Sequence, residues 1–226
     1  MNALSVIIPT LNEASELPET FRHVRSVREV ADIIVVDGGS IDGTAAVAEA
    51  LGGRILTAVP SRGGQLRKGA AQATSDVIVL LHADTWLPED AGRAIDTCLA
   101  DSNVVGGGFR KTFREHHFLS LGARWRSALL FRLGGPLLGD QAIFVRRDIL
   151  ERIGGVPDMP LMEEFVLCRK LRAAGRLKLA RATVTTSMRR FQKLGIARTY
   201  LRMGRIMLKY SLGADPRELV RIYESR

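Results

Sequence analysis

Four short apolar runs in the first half of the chain are separated by segments with helical periodicity. The runs are residues 4–9, 33–36, 55–59 and 77–81. Runs of this length, rich in β-branched residues, are typical of strands that a parallel sheet buries on both faces. Between the first two runs, apolar residues recur three or four positions apart, which predicts an amphipathic helix. This alternation predicts an α/β fold with a doubly wound, mostly parallel sheet and helices on both faces.

The second half of the chain continues the alternation less regularly. Helical spacing predicts helices within residues 118–133 and 165–174, and Gly175 after the second suits a helix C-cap. Strand-like runs occupy residues 142–145 and 178–186. We therefore expect this half to complete the same sheet.

A C-terminal amphipathic basic helix is predicted after residue 191. Its apolar stripe consists of Ile196, Tyr200, Met203, Met207 and Tyr210. Its basic stripe consists of Arg198, Arg202, Arg205 and Lys209. We expect the apolar stripe to pack on the body of the protein or on a second subunit, which leaves a homodimer open. The basic stripe predicts only weak contact with an anionic membrane, because each basic residue contributes roughly 1 kcal/mol.

Polar residues follow directly after three of the apolar runs. They are Thr10 to Glu13, Asp37 with its glycines, and His82-Ala83-Asp84. Open α/β sheets bind ligands at the carboxyl ends of their strands. Asp84 could there hold a cation against a phosphorylated ligand, or it could simply cap the next helix. The glycine-rich segment at 38–43 lacks the dinucleotide fingerprint, so a nicotinamide-binding domain is a weak interpretation.

The net charge of +9 is concentrated at one end of the chain. Residues 187–226 contain ten Lys or Arg and three Asp or Glu, so we exclude a nucleic-acid binder that uses its whole surface. No apolar run approaches the roughly 18 residues that span a bilayer, and no signal peptide is expected at the N-terminus. Cys98 and Cys168 lie on predicted helices without metal-binding or redox spacing. They are expected to be reduced core thiols of a cytoplasmic protein.

Seven segments form an ordered set of motifs along the chain. They are residues 6–13, 35–44, 82–84, 139–144, 154–157, 161–164 and 185–191. Together they resemble the motifs of family 2 glycosyltransferases, which have the nucleotide-sugar-binding GT-A fold. The chain resembles in particular a compact bacterial subgroup often described as selenodomain-associated transferases. The resemblance implies transfer of a sugar from a nucleotide diphosphate donor, expected to be UDP-linked, with inversion at the anomeric carbon.

The resemblance also implies which residues bind the nucleotide sugar. They are Pro9, Thr10, Leu11, Glu13, Asp37, Gly38, Arg62, Arg67, His82, Ala83, Asp84 and Arg190. Asp37 is expected to accept hydrogen bonds from uracil or ribose, and Arg190 to pair with the diphosphate. Alternatives stay open at three positions. Glu13 and Asp42 could instead cap helices, and Arg62 could be a solvated surface residue.

Two positions depart from the pattern of the family. Arg67 stands where the subgroup usually has Asn, and His82 replaces the first carboxylate of the metal-binding Asp-x-Asp motif. The implied metal ligands are therefore Asp84 and His82, a pair that suits Mn²⁺ better than Mg²⁺. We expect a divalent cation that depends on the donor diphosphate for further ligands. A weak or dispensable metal is the alternative.

The resemblance places the catalytic groups in the second half of the chain. Glu164, at the start of the predicted 165–174 helix, is implied as the general base, with Glu163 as second choice. Asp140 is expected to contact sugar hydroxyls. Acidic residues also favour helix N-termini for electrostatic reasons alone, which is the competing interpretation of the glutamate pair. His116 and His117 do not suit a chelating pair, because adjacent residues on a regular element face apart. Both are expected to lie on the surface or the acceptor rim.

We expect a GT-A domain at residues 1–191, with a nucleotide-binding half at 1–110 and an acceptor half at 111–191, and a basic helical tail at 192–226. The acceptor, a lipid or a small molecule, is not specified by the sequence. Residues 110–138 are expected to select it. Residence in the cytoplasm, in part on the inner membrane face, is the expected location. The rival hypotheses are a nucleotidyltransferase and a catalytically silent protein that binds nucleotide sugars or membranes.

Overall fold

The computed structural model describes residues 1–115 and 122–224, apart from the side chains of Arg190, Lys193 and Glu224. The strands in these residues are β1 (Leu4–Thr10), β2 (Val30–Asp37), β3 (Arg54–Thr57), β4 (Val77–Leu80), β5 (Thr85–Trp86), β6 (Val104–Phe113), β7 (Ile143–Arg146) and β8 (Arg176–Thr186). The helices are α1 (Leu17–Ser26), α2 (Thr44–Ala50), α3 (Arg62–Ala70), α4 (Ala91–Leu99), α5 (Ala123–Arg132), α6 (Arg147–Arg152), α7 (Glu163–Ala174), α8 (Arg189–Leu194), α9 (Ile196–Ser211) and α10 (Pro216–Glu224). A short 3₁₀ helix spans Gly139–Gln141.

The described strands form one sheet in the order β3-β2-β1-β4-β7-β6-β8-β5. β3, β2, β1 and β4 are mutually parallel, and β6 is parallel to β8. β7 and β5 run antiparallel to their neighbours. This arrangement confirms the predicted mostly parallel α/β sheet. The strand predicted at 142–145 is the antiparallel β7, which inserts between the two parallel groups.

The core lies on both faces of the sheet. Val6 and Ile8 of β1 belong to one buried cluster, and Ile7 between them belongs to the other. Successive strand residues point to opposite faces, so an uninterrupted apolar run supplies both clusters. Phe21 of α1 covers the first face, and Leu66 of α3 covers the second. The core therefore fixes the parallel strand ends at one edge of the sheet.

The long strand β6 was not predicted from the sequence. It contains Gly106 and Gly107, which normally weaken a strand. Here neighbouring strands approach the backbone closely. A Cβ atom at Gly107 would stand 1.9 Å from the carbonyl oxygen of Lys178, and one at Gly106 would stand 2.5 Å from that of Phe144. The packing therefore requires these glycines, although they interrupt the apolar run that would otherwise predict a strand.

The C-terminal region consists of more than the single helix that was predicted. α8 begins before the boundary proposed at residue 192, and α9 and α10 are separated by a turn. Ile206 and Leu219, from α9 and α10, form a buried cluster with Leu161 and Met162, which precede α7. Met203 and Tyr210 of the predicted stripe pack against this cluster.

The predicted apolar stripe is wrong at two positions. Tyr200 and Met207 are 49% and 44% exposed, because Ile206, not Met207, lies at the centre of the inward face. Among the described residues, none of the helices is long and apolar enough to cross a membrane.

Candidate functional site

Three polar strand ends converge at one edge of the sheet. β1, β2 and β4 are adjacent and parallel, so their carboxyl ends lie together. The Thr10–Glu13 segment, Asp37 and the His82–Asp84 segment follow these strands directly. Of the predicted nucleotide contacts here, Leu11 is 46% exposed and Pro9 is partly buried, while Ala83 is buried and accepts a hydrogen bond on its carbonyl oxygen from Thr20.

Asp37 is fixed by its own loop. Its carboxylate accepts hydrogen bonds from the backbone N–H groups of Gly39 and Ser40 and from the hydroxyls of Thr10 and Ser40. Burial acts to raise the pKa of Asp37, but these hydrogen bonds outweigh it and the net shift is downward. With four donors already bound, the carboxylate has little acceptor capacity left. Asp37 therefore shapes the loop, whereas its predicted bond to uracil or ribose stays a prediction.

Gln65, which the sequence analysis missed, joins two of the strand ends. Its buried amide donates to the carbonyl oxygens of Thr10 (2.8 Å) and Val36 (2.7 Å). Gly38 donates its N–H to the same oxygen of Thr10, and a Cβ atom at Gly38 would approach the Gln65 amide to 3.2 Å. A glutamine inside an amphipathic helix carries no sequence signal that marks it as buried.

Three carboxylates meet one guanidinium beside these loops, and we call this group the Arg189 cluster. Arg189 donates to both oxygens of Glu13 at 2.9 Å and lies 3.7 Å from Glu16 and 3.7 Å from Asp84. Glu13 therefore does not cap a helix. Asp42 accepts from the backbone N–H groups of Ala14 and Thr44 and so joins the loops that precede α1 and α2, whereas the N-cap of α2 is Gly43, without a side-chain cap.

Burial raises the pKa of both Glu13 and Asp84 in the Arg189 cluster. Arg189 opposes the shift at each residue, while the neighbouring carboxylates add to it. Asp140 also contributes to the rise at Asp84. Arg114 also pairs with Glu16 and lowers the pKa of Asp84, so the three carboxylates of the cluster face two arginines. One negative charge stays in excess, which suits the cluster to receive a further cation.

Arg189 is held by the end of β6. Glu115 accepts from the backbone N–H of Met188 at 2.9 Å, and this positions the start of α8. Arg114 binds Glu16 at 2.8 Å and lies over the ring of Trp86 at 4.3 Å.

Arg190 was predicted from the sequence to pair with the diphosphate, and its side chain lies outside the described residues. Among the described side chains, the neighbouring Arg189 pairs with the Asp84 carboxylate, and Arg114 donates to the Asp84 carbonyl oxygen at 3.3 Å.

The two predicted metal ligands lie in different surroundings. Asp84 belongs to the Arg189 cluster, whereas His82 lines a small cavity with Gly139, Glu163 and Glu164. The described residues contain no group of three His, Cys, Asp or Glu side chains arranged to hold a metal. A cation at Asp84 would therefore need ligands from a bound substrate and water.

A second arginine holds a pair of glutamates, and we call this group the Arg62 cluster. Arg62 lies 3.5 Å from Glu163 and 3.2 Å from Glu164, and it also donates to the hydroxyl of Tyr223 at 3.2 Å. The backbone N–H of Gly139 donates to Glu164 at 3.1 Å. Arg62 is thus not a solvated surface residue. It faces the glutamates and not the loops that follow β1 and β2.

The glutamates of the Arg62 cluster are buried unequally. Burial and repulsion by Glu164 raise the pKa of Glu163 to about 7, although Arg62 opposes the shift. Neither carboxylate oxygen of Glu163 has a hydrogen-bond partner among the described residues. The adjoining cavity of about 10 Å³ has room for about one water molecule. Glu164 is therefore the better-hydrogen-bonded member of the pair, and Glu163 the one that favours a proton.

The start of α7 directs both glutamates inward. Met162 is buried and adopts a left-handed conformation, with φ of 67°, immediately before the helix. This conformation is unfavourable for a residue with a side chain and persists where the surrounding packing enforces it. Leu161, Ile206 and Leu219 surround Met162 in the C-terminal cluster. The C-terminal helices therefore set the geometry of the glutamate pair.

Two further predicted residues have protein partners. Asp140 binds the ammonium group of Lys111 and is close enough to Asp84 to affect its titration. Arg67 donates to the carbonyl oxygens of Gly154 (2.9 Å) and Val156 (3.0 Å). Arg67 thus anchors α3 to the segment before α7, and its predicted nucleotide contact stays a prediction.

The family model that matches the chain is Glycosyl transferase family 2, over residues 5–151. The chain belongs to this family. This membership supports glycosyl transfer over the nucleotidyltransferase and silent-binder hypotheses. The match includes the strand ends that follow β1, β2 and β4, and it ends before Glu163 and Glu164. The family match therefore covers Arg62 but neither glutamate of the Arg62 cluster.

Among curated proteins, the chain is similar to undecaprenyl-phosphate 4-deoxy-4-formamido-L-arabinose transferases. That of Sodalis glossinidius (strain morsitans) is 33% identical over 159 residues, which is 65% of this chain and 48% of the relative. That of Pseudomonas paraeruginosa (strain DSM 24068 / PA7) is 31% identical over 143 residues, or 58% and 41%. The chain thus spans about half the length of the curated relatives it matches.

Two solved structures share the fold. The mannosyltransferase PcManGT from Pyrobaculum calidifontis, in complex with GDP-Man and Mn²⁺, superposes with a TM-score of 0.65 at 19% identity, covering 91% of this chain and 61% of the other. Glucosyl-3-phosphoglycerate synthase from Mycobacterium tuberculosis, with Mn²⁺, UDP-glucose and phosphoglyceric acid, gives 0.60 at 21% identity, covering 86% and 75%. These similarities confirm the GT-A fold.

Proposed function

We propose that the protein transfers a sugar from a UDP-linked donor to a hydroxyl group of its acceptor, with inversion, and that Glu164 is the general base. The observation that carries this proposal is the separation of two arginine-held carboxylate clusters. One lies at the parallel strand ends, where α/β sheets bind ligands, and the other lies at the start of α7. The first would bind the donor, and the second would activate the acceptor.

On the donor side, Arg189 is the proposed diphosphate ligand. It is bound to Glu13 and lies near Asp84, so it is already at the place where a diphosphate would meet the cation held by Asp84. Guanidinium groups pair with phosphate oxygens through two parallel hydrogen bonds. Arg190, the residue chosen from the sequence, is the alternative. Comparison of Arg189→Gln with Arg190→Gln would show which of the two arginines binds the diphosphate.

Asp84 is the proposed protein ligand of one divalent cation, Mn²⁺ or Mg²⁺. Both solved neighbours named above are complexes with Mn²⁺. The excess of carboxylates around Asp84 fits a cation, while the single carboxylate ligand implies that binding depends on the donor. When bound, the cation would stabilise negative charge on the departing nucleoside diphosphate. His82, which lines the other cavity, is not included in the proposed ligand set.

On the acceptor side, Glu164 would accept the proton of the attacking hydroxyl. The N–H of Gly139 and the guanidinium of Arg62 both bind its Oε1 atom, which orients the carboxylate. Glu163, whose pKa is raised to about 7, would carry its proton in about half of the molecules at neutral pH, and neither of its oxygens is oriented by a hydrogen bond among the described residues. Asp140, which binds Lys111 beside Asp84, is proposed to contact a sugar hydroxyl.

A second candidate is a lipid phosphate acceptor, which the names of the curated relatives favour. A phosphate monoester is already anionic at neutral pH, since its second pKa is about 6. It therefore needs no general base. The two candidates predict different consequences of removing the Glu164 carboxylate, and this separates them.

The test is UDP release from a panel of UDP-sugars with Mn²⁺, measured with polyprenol and with polyprenyl phosphate as acceptors. Under the main proposal, Glu164→Gln lowers turnover at least 100-fold, as expected for the loss of a general base. Under the second candidate, polyprenyl phosphate is the substrate and the same variant retains turnover within about fivefold. Absence of UDP release with every donor and both acceptors would contradict both candidates.

A further inference from the structure

The outward side of α9 carries a row of exposed leucines. Leu201, Leu208 and Leu212 are 75%, 61% and 78% exposed, although leucine normally faces the core. Their spacing of seven and four residues places them on one side of the helix. Ile206, which is fully buried, lies on the opposite side and binds α9 to the protein. The helix is therefore apolar both where it packs and where it faces solvent.

A basic row runs beside the exposed leucines. Arg198, Arg205 and Lys209 have the same spacing of seven and four, displaced by three residues, and each is exposed. No Asp or Glu occurs anywhere between residues 189 and 214. The outward surface of α9 thus combines apolar side chains with uncompensated positive charge.

Helix α5 independently repeats this combination. Trp125 and Leu129 lie in this helix, and Leu133 follows it directly, at a spacing of four residues. The three side chains are 75%, 58% and 75% exposed. Arg124 and Arg132 are exposed on the same helix, and residues 122–139 contain no acidic side chain. Two separate helices of one protein therefore leave large apolar side chains in solvent beside arginines.

We propose that the outward face of α9 docks on the surface of an anionic lipid bilayer. An apolar face bordered by basic residues suits a helix that lies in the headgroup region, where leucines enter the acyl boundary and cations meet lipid phosphates. A second copy of the chain fits less well. Pairing two α9 faces would bring their basic rows together without any acidic residue on either helix to neutralise them.

Both helices are attached to the proposed acceptor side. The inner face of α9 packs on Met162, next to Glu163 and Glu164, and α5 leads through residues 133–138 to Gly139. Docking would therefore bring the Arg62 cluster to the membrane surface. The proposal of a bilayer partner depends only on the exposed faces of the two helices. The conclusion that the acceptor is membrane-borne rests on the proposed function.

The test is sedimentation of the full chain with vesicles of phosphatidylcholine, with and without 30% phosphatidylglycerol, at 0.1 and 0.5 M NaCl. One variant combines Leu201→Ser, Leu208→Ser and Leu212→Ser. A second combines Arg198→Gln, Arg205→Gln and Lys209→Gln. The control combines Arg28→Gln, Arg93→Gln and Arg181→Gln, which removes the same charge from exposed positions elsewhere.

We expect the wild type to bind the anionic vesicles at least tenfold more tightly than the neutral ones, and less tightly at high salt. The leucine variant should lose at least tenfold in affinity, the basic variant should lose the preference for anionic vesicles, and the control should stay within twofold. Failure of the wild type to bind, or equal binding by the leucine variant, overturns the proposal. So does a wild-type dimer, seen by light scattering, that dissociates in the leucine variant.

The same proteins would be examined for thermal stabilisation by UDP-sugars with Mn²⁺. Stabilisation without vesicle binding would refute the docking face and leave the proposed function intact. Vesicle binding without stabilisation by any nucleotide sugar would leave the docking face intact and contradict the proposed function.

Discussion

Two arginines hold carboxylates on the two sides of the candidate site, and they do so in different environments. Arg189 binds Glu13 closely and Asp84 at the longer distance of 3.7 Å, and all of these side chains are partly open to solvent. Arg62 holds Glu163, which is 1% exposed, and is itself bonded to Tyr223 of α10. The Arg189 cluster is therefore the more open of the two, and the carboxylates of the Arg62 cluster are the more deeply enclosed.

The difference indicates separate tasks. An open cluster with excess negative charge suits a ligand that brings its own cation and phosphates. An enclosed cluster suits a group whose protonation state must be maintained during a reaction, because burial makes electrostatic interactions stronger. The following substitutions test this division.

The largest expected effect is on turnover in Glu164→Gln. The variant keeps the shape of the side chain but cannot accept a proton, so kcat with a hydroxyl acceptor should fall by a factor of about 10²–10⁴. Steady-state kinetics measure this value. Glu151→Gln, on an exposed helix surface, is the matched control and should retain normal kcat. An unchanged kcat in Glu164→Gln, with a hydroxyl acceptor, would contradict the role of the enclosed cluster in acceptor activation.

The next effect is on metal dependence in Asp84→Asn. The amide is a poorer ligand than the carboxylate for a hard cation, so the Mn²⁺ concentration needed for half-maximal UDP release should rise at least tenfold. Titration of activity with Mn²⁺ measures the change, with Asp90→Asn as an exposed control. If both variants show the wild-type dependence on Mn²⁺, the open cluster does not hold the cation.

A smaller effect is expected on stability in Glu163→Gln. The folded-state pKa of Glu163 is raised from 4.5 to about 7, so the folded protein binds this proton more tightly than the unfolded chain does. Ionisation therefore costs the wild type stability as the pH rises from about 4.5 to 7, and the full cost persists above pH 7. The variant lacks this cost. Its free energy of unfolding relative to wild type should increase by about 1–3 kcal/mol between pH 5 and pH 8.

Denaturant unfolding at the two pH values measures this difference, and Glu151→Gln again provides the control. A relative stability of Glu163→Gln that is the same at pH 5 and pH 8 would show that the buried glutamate is not protonated near neutrality.

The smallest effect is expected in Tyr223→Phe. Loss of the hydroxyl removes one hydrogen bond to Arg62 while keeping the ring, so kcat should fall about two- to fivefold with little change in donor KM. Tyr200→Phe, at a half-exposed position of α9, should leave both constants unchanged. A change confined to donor KM in Tyr223→Phe would instead connect the C-terminal helices to the open cluster.

The sequence predicted the part of the fold that repeats a simple pattern. β-branched apolar runs identify the buried strands β1, β2 and β4, and the polar residues after them identify the sheet edge where the candidate site lies. β6 escaped prediction because close strand approach requires glycines, which weaken the apolar signal. The short antiparallel β5 also has too few residues to produce a pattern.

The site was predicted as a set of residues but not as a set of contacts. Asp84 and Glu164 were identified from motifs, yet their arginine partners lie about a hundred positions away in the sequence. Such pairs depend on tertiary packing and have no local signature. Arg189 was not singled out for a related reason, since neighbouring residues on a helix point about 100° apart and the sequence does not define the start of α8 to one residue. The diphosphate contact predicted for Arg190 stays a prediction.

The most direct test of the division between the two clusters is the affinity for the donor, measured by calorimetry with the UDP-sugar that stabilises the protein most in the presence of Mn²⁺. We expect Asp84→Asn to weaken donor binding at least tenfold and Glu164→Gln to change it less than twofold. Equal loss of donor affinity in both variants, or loss in Glu164→Gln alone, would show that the two clusters do not have separate tasks.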